Sequence, residues 1–492
     1  GGPRTAFRSR FARRVFTALP RQRTRAPADG SRPGRWRLRH GAARGPPRGR
    51  PKSWVNRQRV SLRSSGCCYS PFGLNPFEPS RLQDELVPWR HYWIFVHIMR
   101  VAGLFAGIGG FELGLSRAGH HAQLLCDVLP ASRAVLETRF PGVDYREDIT
   151  KLRSLPSGVD LLCAGFPCQD LSQAGRTAGL DGERSGLIGE VFRLLSRRRV
   201  PTVVVENVPF MLQLNGGNAM RAIVDEFERR GYRWAYRVVD SFSFGLPQRR
   251  ERVFLVASRE LDPASVLLAD DNPLQRPRSA LGTLAHGFYW TEGLSGLGWA
   301  VDSVPTLKNG STIGIPSPPA ILMPDGRLIK PGIRDGERLQ GFDADWTAPA
   351  EEVARASVRW SLVGSAVSVP VAEWLGKRLE NPGAYDSSRD RAFAVGGKAP
   401  RAARFDGKQR HAVEISVDPV GIRPPPLTSF LIDRDGEQPL SIKATLGFLS
   451  RTRRAKLRFE PGFIQAVEHH LVRMGGEVPP PTATRQLDLL AA

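Results

Sequence analysis

The sequence predicts an α/β protein built around a doubly wound, largely parallel sheet. Three observations carry this. Short apolar runs at residues 101–104, 122–126, 161–164 and 202–205 are separated by helical patterns, the alternation that βαβ units produce. The first run opens into a glycine-rich turn. Polar or reactive residues, Asp127, Cys168 and Glu206, follow the carboxyl ends of later runs, and open α/β sheets bind their ligands beyond those ends.

The 492-residue chain carries a net charge of +23, but the excess is local: residues 1–98 hold +17 and the remaining 394 only +6. Residues 1–66 are mostly Arg, Pro, Gly, Ala and Ser with almost no apolar periodicity. They cannot bury enough surface to offset chain entropy, so this basic segment is expected to be disordered. Such a segment suits a basic nucleic-acid arm or an Arg-rich transit peptide. The first methionine, however, is Met99, directly before the first strand, so residues 1–98 are read as lying upstream of a native start. The apolar run 92–98 is too short to span a bilayer, and no membrane partner is expected. Of five cysteines, Cys126, Cys163 and Cys168 follow Met99 without CxxC spacing or paired histidines. Neither a disulfide framework nor a metal site is implied, and a reduced, cytoplasmic protein fits.

In chain order, the strand from Val101 leads to glycines 107, 109 and 110 and then a helical pattern. The turn is not a full G-x-G-x-x-G fingerprint, but it lets backbone approach a ligand beside helix N-terminal amides. Asp127 ends the second run about twenty residues on, where doubly wound folds hold a ribose hydroxyl. Asp148 closes the segment 143–149, placed to hold an adenine amino group. Together the two acids favour an adenosine-containing cofactor.

The third run ends in a Gly-Phe-Pro turn that presents Cys168. Cys163 lies inside the apolar run, as a structural cysteine would. Cys168 follows a proline and precedes a polar, glycine-containing loop of the kind that forms lids, and it reads as a nucleophile. Glu206 and Asn207 end the β-branched run 201–208, where a carboxylate either caps a turn or faces the same crevice as Cys168. A helix over 219–230 and a strand over 233–240 lead to the extended segment 245–257. There Gln248, Arg250 and Arg252 alternate on one face, with guanidinium groups suited to phosphates, to a base edge, or to salt bridges within the sheet.

The ordered set Phe-Ala-Gly-Ile-Gly-Gly (105–110), Gly-Phe-Pro-Cys-Gln (165–169), Glu-Asn-Val (206–208), Gln-Arg-Arg-Glu-Arg (248–252) and Gly-Ser-Ala-Val (364–367) resembles the DNA (cytosine-5) methyltransferases of bacterial type, whether restriction–modification or orphan. The likeness covers about 280 residues, from Met99 to roughly Glu380. It implies a Rossmann-like S-adenosylmethionine-dependent methyltransferase sheet with a smaller target-recognition domain. It also implies methyl transfer to C5 of a cytosine flipped out of a specific double-stranded DNA sequence, through a covalent bond from Cys168 to C6. Matched by motif, Glu206 holds or protonates the ring at N3 and the exocyclic amine, and Arg252, with Arg250 beside it, holds the carbonyl oxygen and backbone.

The same matching implies cofactor contacts from Phe105, Gly107, Ile108, Gly109, Asp127, Val128, Asp148, Ile149, Pro167, Leu187, Ser365 and Val367. It implies DNA contacts from Gln169, Ser172, Arg176 and Gln248, and no metal. Family members have asparagine where this chain has Ser365. A hydroxyl offers one donor and a shorter reach, so one hydrogen bond to the cofactor is expected to be missing or water-borne, and Ser365→Asn to tighten binding modestly. Asp127, where the family has glutamate, is a milder change.

The expected domains are 99–257 for catalysis and cofactor, 258–350 for target recognition, 351–380 for a helix completing the catalytic domain, and 381–492 for an extension of unknown role. That extension carries Arg451, Arg453, Arg454, Lys456 and Arg458, read as a DNA contact or a solvated helix face. The expected partners are double-stranded DNA and a separately acting cognate restriction endonuclease, and the expected protein is a monomer at the bacterial nucleoid. Methylation of RNA, such as tRNA, on the same fold is the rival reading. An inactive DNA-binding homologue is disfavoured because Cys168, Glu206 and Arg252 are all present, and an NAD-binding oxidoreductase leaves the Pro-Cys-Gln loop without a role.

Overall fold

The computed structural model describes residues 98–167, 186–310, 318–394 and 396–480. Segment 1–97 lies outside them, and with it the expectation of disorder there; so do Cys168, Gln169, Ser172 and Arg176. Contacts divide the chain into two units, Gly1–Trp89 and Arg90–Ala492, and all the described residues belong to the second.

The strands are β1 (Arg100–Leu104), β2 (His121–Cys126), β3 (Asp144–Arg146), β4 (Leu161–Ala164), β5 (Thr202–Asn207), β6 (Arg233–Asp240), β7 (Gln248–Arg249), β8 (Glu251–Ser258), β9 (His286–Phe288), β10 (Ala300–Val301), β11 (Val304–Pro305), β12 (Ala320–Leu322), β13 (Leu328–Lys330), β14 (Asp390–Ala392), β15 (Ala402–Phe405), β16 (Arg410–Val413) and β17 (Gln438–Pro439). Ten of them form one sheet in the order β14-β16-β15-β6-β8-β5-β4-β1-β2-β3. β3, β2, β1, β4 and β5 run parallel, and β8 enters antiparallel between β5 and β6. The strand order reverses between β1 and β4, so the crevice of a doubly wound sheet opens beyond their carboxyl ends.

Side chains alternate across the strands and feed two cores. Leu161 and Cys163 of β4 join Phe111 and Leu115 of helix α1 (Gly110–Arg117) and Leu375 of the helix Val369–Glu380. Leu162 and Ala164 face the other side, against Ile188, Val191 and Phe192 of the helix Leu187–Arg197. Cys163 is 1% exposed and burial pushes its thiol pKa up, as suits a structural cysteine.

The residues after 380 divide between two sheets. β15 pairs with β6 and carries β16 and β14 outward, extending the main sheet. β17 pairs with β13 at the edge of a second sheet, ordered β10-β9-β12-β13-β17. The helices Ile442–Thr452 and Phe463–Arg473 lay Phe448, Phe463 and Leu471 on Phe288 and Leu322 of that sheet. Part of the basic run is consumed here: Arg451 donates to the Trp290 and Glu292 carbonyls, and Arg453 pairs with Glu468. Among the described residues no helix is long and apolar enough to cross a membrane.

Candidate active site

After β1 the chain turns through Phe105, with φ of 56°, Gly107 at 58° and Gly109 at 83°. The two glycines take left-handed backbone at little cost, while Phe105 holds it under strain of the kind that clusters at functional sites. The turn is tied to β2, since the Gly107 N–H donates to Asp127 Oδ2 at 2.8 Å and the Leu129 N–H to Oδ1 at 3.0 Å. Burial raises the Asp127 carboxyl pKa, and these amides oppose it. Beyond β3, Asp148 Oδ1 accepts from the Thr150 N–H and hydroxyl at 2.9 and 2.7 Å. Those bonds from Thr150 hold the carboxyl below its usual range.

These ends surround a cavity of about 700 Å³, lined by Phe105, Gly107, Asp127, Val128, Asp148, Ile149, Pro167, Leu187 and Ser365 among others. Its size lies within the range of small-molecule sites. Two carboxylates stand at strand ends against apolar walls, and Val128 and Leu129 are left 63% and 52% exposed in the cavity. An adenosyl sulfonium fits such a donor set: carboxylates for ribose and adenine, apolar faces for the ring. Three expected contacts do not line the cavity. Ile108 is fully buried and accepts from the Trp346 indole at 2.8 Å through its carbonyl, Gly109 backs onto the Phe140 ring, and Val367 packs against Gly110. They support the turn from beneath.

A second cavity, of about 740 Å³, opens beside the first and contains Glu206, Asn207 and Arg252. Arg252 Nε lies 3.1 Å from Glu206 Oε1, with the side chains 13% and 10% exposed. Burial raises the Glu206 pKa, and Arg252 and then Arg250 oppose it. Asn207 does a different job. Its Nδ2 donates to the Phe166 carbonyl at 2.9 Å and its Oδ1 accepts from the Val208 N–H at 2.9 Å, which fixes the turn that ends in Pro167. Pro167 lines both cavities, and the next residue in the chain is Cys168.

Two expected site residues are corrected. Gln248, expected to contact DNA, is 0% exposed; its Nε2 donates to the Leu339 carbonyl at 2.8 Å and its Oε1 accepts from the Leu307 N–H at 3.0 Å. Arg250, expected to be catalytic, is 1% exposed and spends its guanidinium on the carbonyls of Leu307, Gly364 and Ala366 at 3.0, 3.2 and 2.6 Å. Only Arg252 of the alternating trio reaches a cavity. The cause is the parallel pairing of β7 with β11, Val304 opposite Gln248 and Pro305 opposite Arg249, which roofs over the first two.

That pairing brings in residues the sequence did not single out. Tyr289, Thr306, Lys308 and Asn309 form the far wall of the second cavity. The Tyr289 hydroxyl donates to the Thr306 carbonyl at 2.7 Å, and the Lys308 ammonium sits 3.7 Å from the centre of the Tyr289 ring. In the sequence, Pro-Thr-Leu at 305–307 is the local pattern that adjoins them.

A family model described as C-5 cytosine-specific DNA methylase matches residues 99–285. The chain is similar to the type II methyltransferase M2.BsuMI of Bacillus subtilis, 43% identical over 383 residues that cover 75% of this chain and 97% of that protein. It is also similar to M.MspI of Moraxella sp, 34% identical over 157 residues, 31% of this chain and 37% of that one. M.HhaI of Haemophilus parahaemolyticus is 30% identical over 163 residues, 33% of this chain and 49% of that one.

Proposed function

The chain belongs to the C-5 cytosine-specific DNA methylases, and from that premise we propose that Cys168 attacks C6 of a cytosine flipped out of double-stranded DNA into the cavity of Glu206 and Arg252. Flipping is required because a stacked cytosine offers no open face to a thiol and a methyl donor together. As the Sγ–C6 bond forms, the C5–C6 π pair moves onto C5, and Glu206 gives a proton at N3. Its raised pKa supports that role, since burial favours the protonated carboxyl. The Arg252 guanidinium holds the base carbonyl oxygen while keeping Glu206 oriented.

Asp127 and Asp148 would hold S-adenosylmethionine in the first cavity, where it would supply an electrophilic methyl group. C5 takes that methyl and the donor sulfur keeps the bonding pair as a neutral thioether; C5 then loses its proton to solvent, the C5–H pair re-forms the C5–C6 double bond, the Sγ–C6 pair returns to Sγ, and N3 gives its proton back to Glu206. The observation that carries the reading is the meeting of the two cavities at Pro167, one residue before Cys168. We assign target recognition to the domain built on the second sheet, and a restriction–modification setting is supported by the type II relatives. Duplex DNA carrying 5-fluorocytosine at the site should form a stable covalent adduct, because fluorine does not leave as a proton does. Cys168→Ser should abolish it while DNA binding persists, and methyl incorporation into tRNA but not duplex DNA would overturn the reading.

A further inference from the structure

We infer that Asn309 is a positioning residue for the methyl donor, supplying at the junction of the two cavities the side-chain amide that position 365 lacks. This rests on the proposed donor site and goes beyond it. Among the described residues, those that line both cavities are Gly165, Pro167, Asn309 and Ser365. A methyl group that leaves one cavity for a base in the other must cross that shared wall. The sulfonium and the charged amino-acid end attached to it therefore lie beside these four residues. Two of them carry no polar side-chain atom, and Ser365 offers a single short hydroxyl. Asn309 offers two N–H donors and an acceptor, the set that a zwitterionic ammonium–carboxylate end calls for.

The backbone under Asn309 is built to hold it there. Gly364 lies so close that a Cβ on it would stand 2.2 Å from the Lys308 carbonyl carbon and 2.6 Å from the Asn309 nitrogen, so glycine is required for the approach. The Ser361 hydroxyl donates to the Asn309 carbonyl at 2.8 Å. Arg250 bonds the carbonyls of both Leu307 and Gly364, and Gln248 accepts from the Leu307 N–H. All of these contacts engage backbone atoms of 307–309, so the stretch is locked to the helix Val358–Ser365 whatever the side chain at 309.

The test is calorimetric titration of S-adenosylmethionine, without DNA, into four full-length proteins: unaltered, Asn309→Ala, Ser365→Asn and the double variant. Asn309→Ala should weaken binding about tenfold, the worth of about one hydrogen bond, with an unchanged melting temperature. Ser365→Asn should change affinity less than about threefold when Asn309 is present and recover most of the loss when it is absent. Equal affinity for the alanine variant, or the same gain from Ser365→Asn in both backgrounds, would overturn the inference. No binding by the unaltered protein would overturn the donor site beneath it as well, a result distinct from either.

Discussion

Arg252 and Glu206 form a nearly buried ion pair, Nε to Oε1 at 3.1 Å, at the mouth of antiparallel neighbours β8 and β5. Neither charge is there for stability alone, since a buried pair rarely repays its desolvation. The pair holds an acid whose burial keeps its proton to higher pH than an ordinary carboxyl. Glu206→Gln preserves the shape and removes the proton. Methyl transfer should fall on the order of 10²- to 10⁴-fold in kcat, with duplex binding retained. The pH profile gives the sign. If protonated Glu206 is the working form, the rate is full below its folded pKa and declines as pH rises through it, in a limb above the usual carboxylate range. That declining limb should be missing from the Gln variant, and its persistence would assign the limb to another group.

Arg250 yields a contrasting expectation. Its guanidinium satisfies three backbone carbonyls, that of Leu307 and those of Gly364 and Ala366 at the C-terminal end of the helix Val358–Ser365, and so ties together two segments that wall both cavities. Arg250→Ala should destabilise the fold by about 3 kcal/mol or more, because buried acceptors lose their donors. Arg250→Lys keeps the charge but not the planar fork. Donor affinity and target-DNA affinity should both weaken in the lysine variant, whereas Arg252→Lys should weaken the target alone. Separate titrations with S-adenosylmethionine and with duplex DNA distinguish the two; unchanged donor affinity in Arg250→Lys would mean the segments hold without the strut.

Asn207 lines the second cavity, but its side-chain amide is spent on the turn that leads to Cys168, the proposed nucleophile. Without its amide, the Phe166 carbonyl and the Val208 N–H both lose a partner, and the turn before Cys168 loosens. A displacement of about 1 Å costs on the order of 10²-fold in rate. Asn207→Ala should slow formation of the 5-fluorocytosine adduct by about that factor and leave S-adenosylmethionine affinity unchanged. Loss of donor affinity in the same measure would place Asn207 in the cofactor site instead.

Local geometry determines the part of the site that is legible in the sequence. The glycine turn, Asp127 and Glu206 each stand at the end of an apolar run and Asp148 follows the short polar strand β3, and a parallel sheet brings such strand ends together whatever the rest of the chain does. The alternation of Gln248, Arg250 and Arg252 is equally legible, yet their face divides because a two-residue strand more than fifty positions away pairs over its first half. No periodicity announces a pairing so short. The fate of the residues after 380 is hidden for a similar reason: β15 reaches β6 and β17 reaches β13 across many intervening strands and helices, and the partners set those registers.

Glu112 carries no mark in the sequence at all, and it offers the clearest stability test. It sits in the first turn of α1, 3% exposed, and its Oε2 has no hydrogen-bond partner among the described residues. Burial raises its pKa to about 7, its own backbone N–H opposes that shift, and Asp127 nearby adds to it. In the unfolded chain the group titrates near 4.5. Between those two values the folded state holds a proton that the unfolded state has released, so stability falls as pH rises from about 4.5 to about 7 and levels off above. The whole change is about 3 kcal/mol. Glu112→Gln keeps the volume and cannot ionise. It should therefore unfold at nearly the wild-type denaturant concentration at about pH 5, where the native glutamate is protonated in the fold, and at a clearly higher one at about pH 8. Urea titrations of both proteins at the two pH values decide it. Parallel pH dependence in the two would mean that the carboxylate is solvated or paired in solution, and that the loss of stability belongs to other groups.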